Sequence, residues 1–326
     1  MGFPFRRIAT LLGAAVLLAA AHHASARDWP ERPVRLIAPV SSGTSLDTAL
    51  RAVAERLSKT FGTTFYVDNI VAGVGLVAAQ TAARAAPDGY TFYLAGVGVI
   101  AADRHLFKSL PYDPERDFTP VAIIYDSSAF AIAVHPGLPA KSIPELIALA
   151  KAQPGKLSYG TGSVGVLSVP GAWLNKVAGT NIVAVPYRSA PQMMQDAVAG
   201  TMPMIITTIG VVAPLRESGQ LRTLAVTSAE RFPGWPDVPT VAETLPGYKI
   251  VGIGILVAPA ATDREIVQRL NREIDRIVRE PDVVELLHTL GMTNSGAGTP
   301  ESVAEFMRVE RKNLDRMLNG LNITPQ

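Results

Sequence analysis

The 326-residue chain has no cysteine. That excludes disulfides, thiol nucleophiles, thiolate metal sites and a lipid anchor on an N-terminal cysteine. Aromatic residues make up only 6% of it, too few for a base-stacking surface. No Lys/Arg stripe is present either, so nucleic acid is not an expected partner. The histidines are scattered, with no His-x-x-x-His pair and no His-Glu-x-x-His. A metal site needs several ligands that meet in space, so neither metal nor cofactor is expected.

One long apolar run is present, at residues 11–21. It follows Arg6 and Arg7 and precedes the small residues Ala24-Ser25-Ala26. This is the pattern of a secretory signal peptide cut after Ala26, and it implies a periplasmic protein. The run is too short for a membrane span. The whole chain has 30 basic and 28 acidic residues, and loss of Arg6 and Arg7 makes the remainder formally neutral. Without disulfides, that remainder must hold itself together through its own core.

Apolar runs of strand length alternate with helical periodicity from residue 34 onward. Strands are expected at Val34–Ala38, Phe65–Asn69 and Thr91–Ala95, with helices between them. Such βαβ alternation favours parallel strands covered on both faces. Proline-rich stretches near 111–120 and 233–246 divide the pattern into two α/β sets. Apolar segments at 129–134 and 250–258 are the expected crossovers. The first lobe is then 28–128 plus 251–326, and the second is 129–250. Ser142-Ile-Pro-Glu145, Thr262-x-x-Glu265 and Thr299-Pro300 read as helix starts.

Catalytic patterns are incomplete. Gly162-Ser163-Val164-Gly165 falls short of a nucleophile elbow, because Thr161 stands where Gly is required. Gly160-Thr-Gly162-Ser-Val-Gly165 matches a dinucleotide fingerprint, but no Asp or Glu occurs between Glu145 and Asp196 to hold a ribose. The repeated device is instead a small-residue turn after a strand. It occurs at Ser41, Ser42, Gly43, Thr44 and Ser45, at Gly73 and Gly75, at Gly96 and Val97, and at Thr161, Gly162 and Ser163. In an open α/β sheet, ligands bind outside the carboxyl ends of strands, where free N–H groups at helix starts suit an anion.

Several segments carry a family resemblance. They include Trp29-Pro-Glu-Arg-Pro-Val-Arg-Leu-Ile-Ala-Pro39, Ala85-Ala-Pro-Asp-Gly-Tyr-Thr91, Leu110-Pro-Tyr-Asp-Pro-Glu-Arg-Asp-Phe118 and Val185-Pro-Tyr-Arg188. The chain resembles the substrate-binding receptors of tripartite tricarboxylate transporters, the Bug family. The resemblance implies a type II periplasmic binding protein: two α/β lobes, a hinge and a ligand cleft that closes. It also implies a non-enzymatic receptor for a small carboxylate, delivered to membrane transporter subunits. A monomer is expected. A stand-alone sensor and an exported hydrolase are the competing classes.

The resemblance also implies that the loops at 40–45 and 69–75 hold the ligand carboxylate, which adds Asn69. Second-lobe residues corresponding to Ser168 and Thr207 then refine specificity. Tyr187 is a further candidate over the cleft. Asp47 is read as a structural residue of the first helical turn, with an ammonium partner as the other reading. This sequence departs from the family pattern in both loops, with Ser41-Ser42-Gly43-Thr44 and Ile70-Val71 replacing proline-rich or charged residues. A ligand less charged than citrate follows: a monocarboxylate, an aromatic acid or an uncharged polar molecule.

Overall fold

The structure is a computed structural model and describes residues 29–321 apart from 163, 164 and 188. The expected signal peptide, Ser163 and Arg188 therefore lie outside the described residues.

The chain opens with β1 (Val34–Ala38), α1 (Ser45–Phe61), β2 (Phe65–Asn69), α2 (Leu76–Ala83), β3 (Thr91–Ala95) and the short α3 (Asp103–Leu106). β1 pairs in parallel with both β2 and β3, as the βαβ pattern requires. Thr44 caps α1 by accepting from the Asp47 N–H, and Gly62 ends the helix in the left-handed region. Ala49, Leu50, Val53 and Leu57 form its buried stripe.

β4 (Phe118–Val134) is one long strand, although residues 121–125 and 130–134 read as two separate apolar runs. The polar Asp126-Ser127-Ser128 between them does not end the strand, but its pairing becomes irregular there. Next come α4 (Ile143–Ala152), β5 (Ser158–Gly162), α5 (Val169–Ala178), β6 (Val183–Tyr187), α6 (Ala190–Val198), β7 (Met204–Thr208), α7 (Ile209–Glu217) and β8 (Arg222–Val226). The chain finishes with β9 (Val251–Pro259), α8 (Arg264–Val278), α9 (Pro281–Thr289), β10 (Met292–Thr293) and α10 (Pro300–Asn319).

β4 serves both sheets. Its first part pairs antiparallel with β9 and β10, and β9 also pairs antiparallel with β3. Its last part, from Phe130, pairs antiparallel with β7 on one edge and β8 on the other. β5 then runs parallel to β6 and β7.

Strand alternation sorts the core. Leu36, Phe92, Leu94 and Leu256 pack against Leu50, Leu57 and Leu270 on the helix-covered side of the first sheet. Ile37, Tyr93 and Ile253, on the opposite face, join Phe130, Ile206 and the rest of the second sheet's core.

Two helix starts differ from expectation. Thr262 donates to Pro259 O, so the adjacent Asp263 caps α8. Glu145 reaches back to Lys141 N rather than closing a box with Ser142, although Ser142 still caps α4.

Candidate binding site

The loop after β1 is held by its own polar groups. Asp47 is 1% exposed. Its Oδ2 accepts from Gly43 N and Arg51 Nε, both at 2.8 Å, and its Oδ1 accepts from Asn69 Nδ2 at 2.8 Å. Asn69 also donates to Val40 O and accepts from Arg51. Burial pushes the Asp47 carboxyl up, but the bonds from Arg51, Asn69 and Gly43 hold it below the usual range. Thr44 Oγ1 donates to Ser41 O. This network gives Asp47 the structural role and occupies Asn69 in the same task. Arg51, one helical turn beyond Asp47, completes the network and was missed among the candidates. The i,i+4 spacing of an acid and a base was its visible signal.

A cavity of about 190 Å³ lies where the two sheets face each other. Pro39, Leu46, Gly75, Tyr93, Gly96, Val97, Gly98 and Asp103 line it from the first α/β unit. Phe130, Leu167 and Thr208 come from the second, with Tyr125, Ser128, Gly252 and Ile253 from β4 and β9. Of the expected residues, Gly75, Gly96 and Val97 are in this wall. Ser41, Ser42, Gly43, Thr44, Asp47, Asn69 and Gly73 do not line it.

In the second half none of the expected residues among those described lines the wall, and Ser168 and Thr207 are each one position away from a residue that does. Thr208 lines the cavity and Thr207 does not, because successive strand residues face opposite ways. Thr161 is buried and donates to Leu167 O at 2.7 Å, fixing the turn that presents Leu167. Gly160 and Gly162 lie within β5 rather than in a phosphate-type loop. A Cβ at Gly162 would sit 2.5 Å from Leu167 Cδ1, so that glycine admits the leucine side chain. Ser168 begins α5 beside this turn. Tyr187 donates to Asp196 at 2.7 Å and is half-buried. Ser45 lies against the first turn of α7, its Oγ 3.1 Å from where a Gly210 Cβ would stand.

Two helix N-termini open on the cavity. α2 begins after Gly75 (φ 91°) and α7 after Thr208, and neither has a side-chain cap. A 3-10 turn (Ala72–Gly75) runs into α2 and takes its first N–H, from Leu76 to Gly73 O, whereas α7 starts directly after Thr208; both ends carry the positive end of the helix dipole. No Lys, Arg or His lines the cavity among the described residues. The arrangement can hold an anion by N–H groups without a neutralising cation. The wall is otherwise largely apolar. Gly252 and Gly254 of β9 make it possible: a Cβ at Gly254 would lie 2.1 Å from the Tyr125 ring. Two glycines inside an apolar strand are the sequence signal for such a close approach.

The profile described as "tripartite tricarboxylate transporter family receptor" matches residues 49–323. The chain belongs to that family. This receptor is 36% identical to a UPF0065 protein of Bordetella bronchiseptica over 97% of this chain and 94% of the relative. It is 30% identical to protein BugT of Bordetella pertussis, covering 88% of each. Among solved structures, Rpa4515 of R. palustris with adipate superposes with a TM-score of 0.83 at 32% identity, covering 91% of this chain and all of that one. MatC of Rhodopseudomonas palustris with bound malate gives 0.76 at 27% identity, covering 89% and 100%. The fold is that of two-lobed type II periplasmic binding proteins. The family is one of transporter receptors rather than enzymes. No helix among the described residues is long and apolar enough to cross a membrane.

Proposed function

We propose that this receptor captures a small monocarboxylate, aliphatic or aromatic, in the cavity between its sheets and presents it to tripartite transporter subunits in the membrane. The observation that carries the reading is the pair of uncapped N-termini, α2 and α7, opening on one largely apolar cavity. They come from opposite sides of the cleft, so a carboxylate between them binds the closed arrangement better than an open one. Differential affinity of that kind is what drives closure. The adipate and malate bound by the relatives support a carboxylate. The apolar wall, which contains an acid and no described cation, favours one carboxylate over two or three.

In this reading β4 and β9 act as the hinge, with lobes of 28–128 plus 251–326 and of 129–250. Gly75, Gly96, Val97 and Thr208 contact the ligand. The residues at 41–47 and Asn69 shape the loop behind them. The mature chain starts after Ala26 and is monomeric. Isothermal titration against mono-, di- and tricarboxylates, paired with small-angle scattering, tests the proposal. Saturable monocarboxylate binding with a contracted particle supports it. Tight citrate binding without monocarboxylate binding overturns it, and so does turnover of a bound acid. The intact mass of secreted protein tests the cleavage point.

A further inference from the structure

The same cavity contains polar groups that a carboxylate between two helix N-termini leaves unused. Tyr93 is 1% exposed and projects from β3 on the face that joins the two sheets. Tyr93 is one of the residues that line the cavity, and its hydroxyl, almost wholly closed off from solvent, has no hydrogen-bond partner. A buried hydroxyl normally has one. Asp103 begins α3, is 7% exposed and lines the same cavity. Its Oδ2 accepts from Tyr112 Oη at 2.6 Å. Its Oδ1 lies 2.9 Å from where a Cβ would stand on Gly98, another residue of the wall. The glycine leaves that oxygen room. A carboxylate has acceptor sites for several donors, and Tyr112 occupies one of them.

We propose that Tyr93 and Asp103 are specificity-determining residues that take a hydrogen-bond-donating substituent of the ligand, a hydroxyl or an ammonium group, in addition to its carboxylate. The assignment rests on the cavity being the ligand site, as proposed above. A hydroxyl matches both partners, donating to Asp103 and accepting from Tyr93. An ammonium donates to both. A methyl group leaves both without partners, and a second carboxylate faces Asp103 directly. Burial pushes the Asp103 carboxyl up and the Tyr112 bond draws it partly back. For Tyr93, burial, then the Asp103 charge, then Tyr125 push the hydroxyl's ionisation up. Sites built to bond a polar substituent reject the analogue that lacks it far more strongly than apolar pockets reject an extra methylene.

The test is calorimetric titration of the full protein with matched acids on two skeletons. On butanoate, the C4 substituent is hydroxyl, amino, methyl or carboxyl. On benzoate, the para substituent is hydroxyl, aminomethyl, methyl or carboxyl. On at least one skeleton, the hydroxyl or amine member is expected to bind about tenfold or more tighter than the methyl member. The two arms identify which donor is preferred. Asp103→Asn and, separately, Tyr93→Phe are expected to reduce that ratio to about twofold or less. Tyr93→Phe removes only a hydroxyl, so it keeps the proposal testable should Asp103→Asn fail to fold. A methyl or dicarboxylate member that binds as tightly as the donors overturns the assignment, as does an unchanged ratio in folded variants. Failure of all eight acids to bind overturns the monocarboxylate reading, and this assignment falls with it.

Discussion

The loop at 41–47 and the wall around Tyr93 and Asp103 use polar groups in opposite ways. In the loop, Asp47 accepts from Gly43, Arg51 and Asn69, and Asn69 bonds Val40 and Arg51 in turn. At the wall, the Tyr93 hydroxyl has no partner although it is fully buried. The loop is polar in composition yet internally satisfied. The wall lies in an apolar strand yet contains the unmet bonding capacity. The contrast is between a polar loop whose bonds close on themselves and an apolar strand with a buried hydroxyl that bonds nothing.

Four measurements can break or sharpen that contrast. The largest effect is expected from Gly254→Ala, whose new Cβ would collide with the Tyr125 ring. Overpacking at such a site costs about 3 kcal/mol and displaces the cavity wall. Urea unfolding together with ligand titration checks it, and an unchanged midpoint would show that the ring can move freely. Asp47→Ala comes next. Loss of the carboxylate strands the Gly43 N–H and Asn69 amide, so stability should fall by about 2 kcal/mol. An effect near zero in chemical denaturation would mean that the loop does not depend on its own network.

Tyr93→Phe tests the other side of the comparison. Deleting an unsatisfied buried hydroxyl should raise the stability of the ligand-free protein by about 1 kcal/mol. A loss instead would reveal a partner for that hydroxyl.

The smallest effect concerns a surface pair away from both regions. Arg231 first, and then the Thr240 N–H, hold the Glu243 carboxyl down to about 2. A depressed carboxyl contributes stability that is present above its ordinary value and lost as pH falls through the depressed one. The unfolding midpoint should therefore decline between about pH 4.5 and about pH 2, and less steeply in Arg231→Ala. Equal slopes in the two proteins would show that the pair is fully screened.

Much of the fold was legible because periodicity states it directly. Residues 34–38, 45–61, 65–69 and 91–95 match β1, α1, β2 and β3. The segment 129–134 was expected to cross between the two sets, but the continuity of β4 through it was not legible. Asp126-Ser127-Ser128 looks like a break in sequence, and only pairing to β9 and β10 on either side keeps the strand continuous. The site was legible as a region but not by residue. Gly75, Gly96 and Val97 line the cavity as expected. Thr207 missed by one position, where strand alternation reverses the face. Tyr93 was not among the candidates because an apolar strand hides which of its faces meets the core and which meets a cavity. Gly252, in the wall itself, was a signal available in the apolar strand β9 and was not among the candidates.

The shared strand also sets an order of assembly. β1, β2 and β3 lie within residues 34–95 and can pair among themselves early. The outer edge of β3, however, is closed only by β9, where Tyr93 meets Val257 and Ala95 meets Ile255. Every residue of the second sheet lies between those partners. Closing so long a loop is entropically costly and slow, and it precedes the contacts that reward it. The first sheet should thus keep an unpaired edge until the chain has passed residue 259. Its early half is most open to misassociation while the half that will bury it has yet to fold.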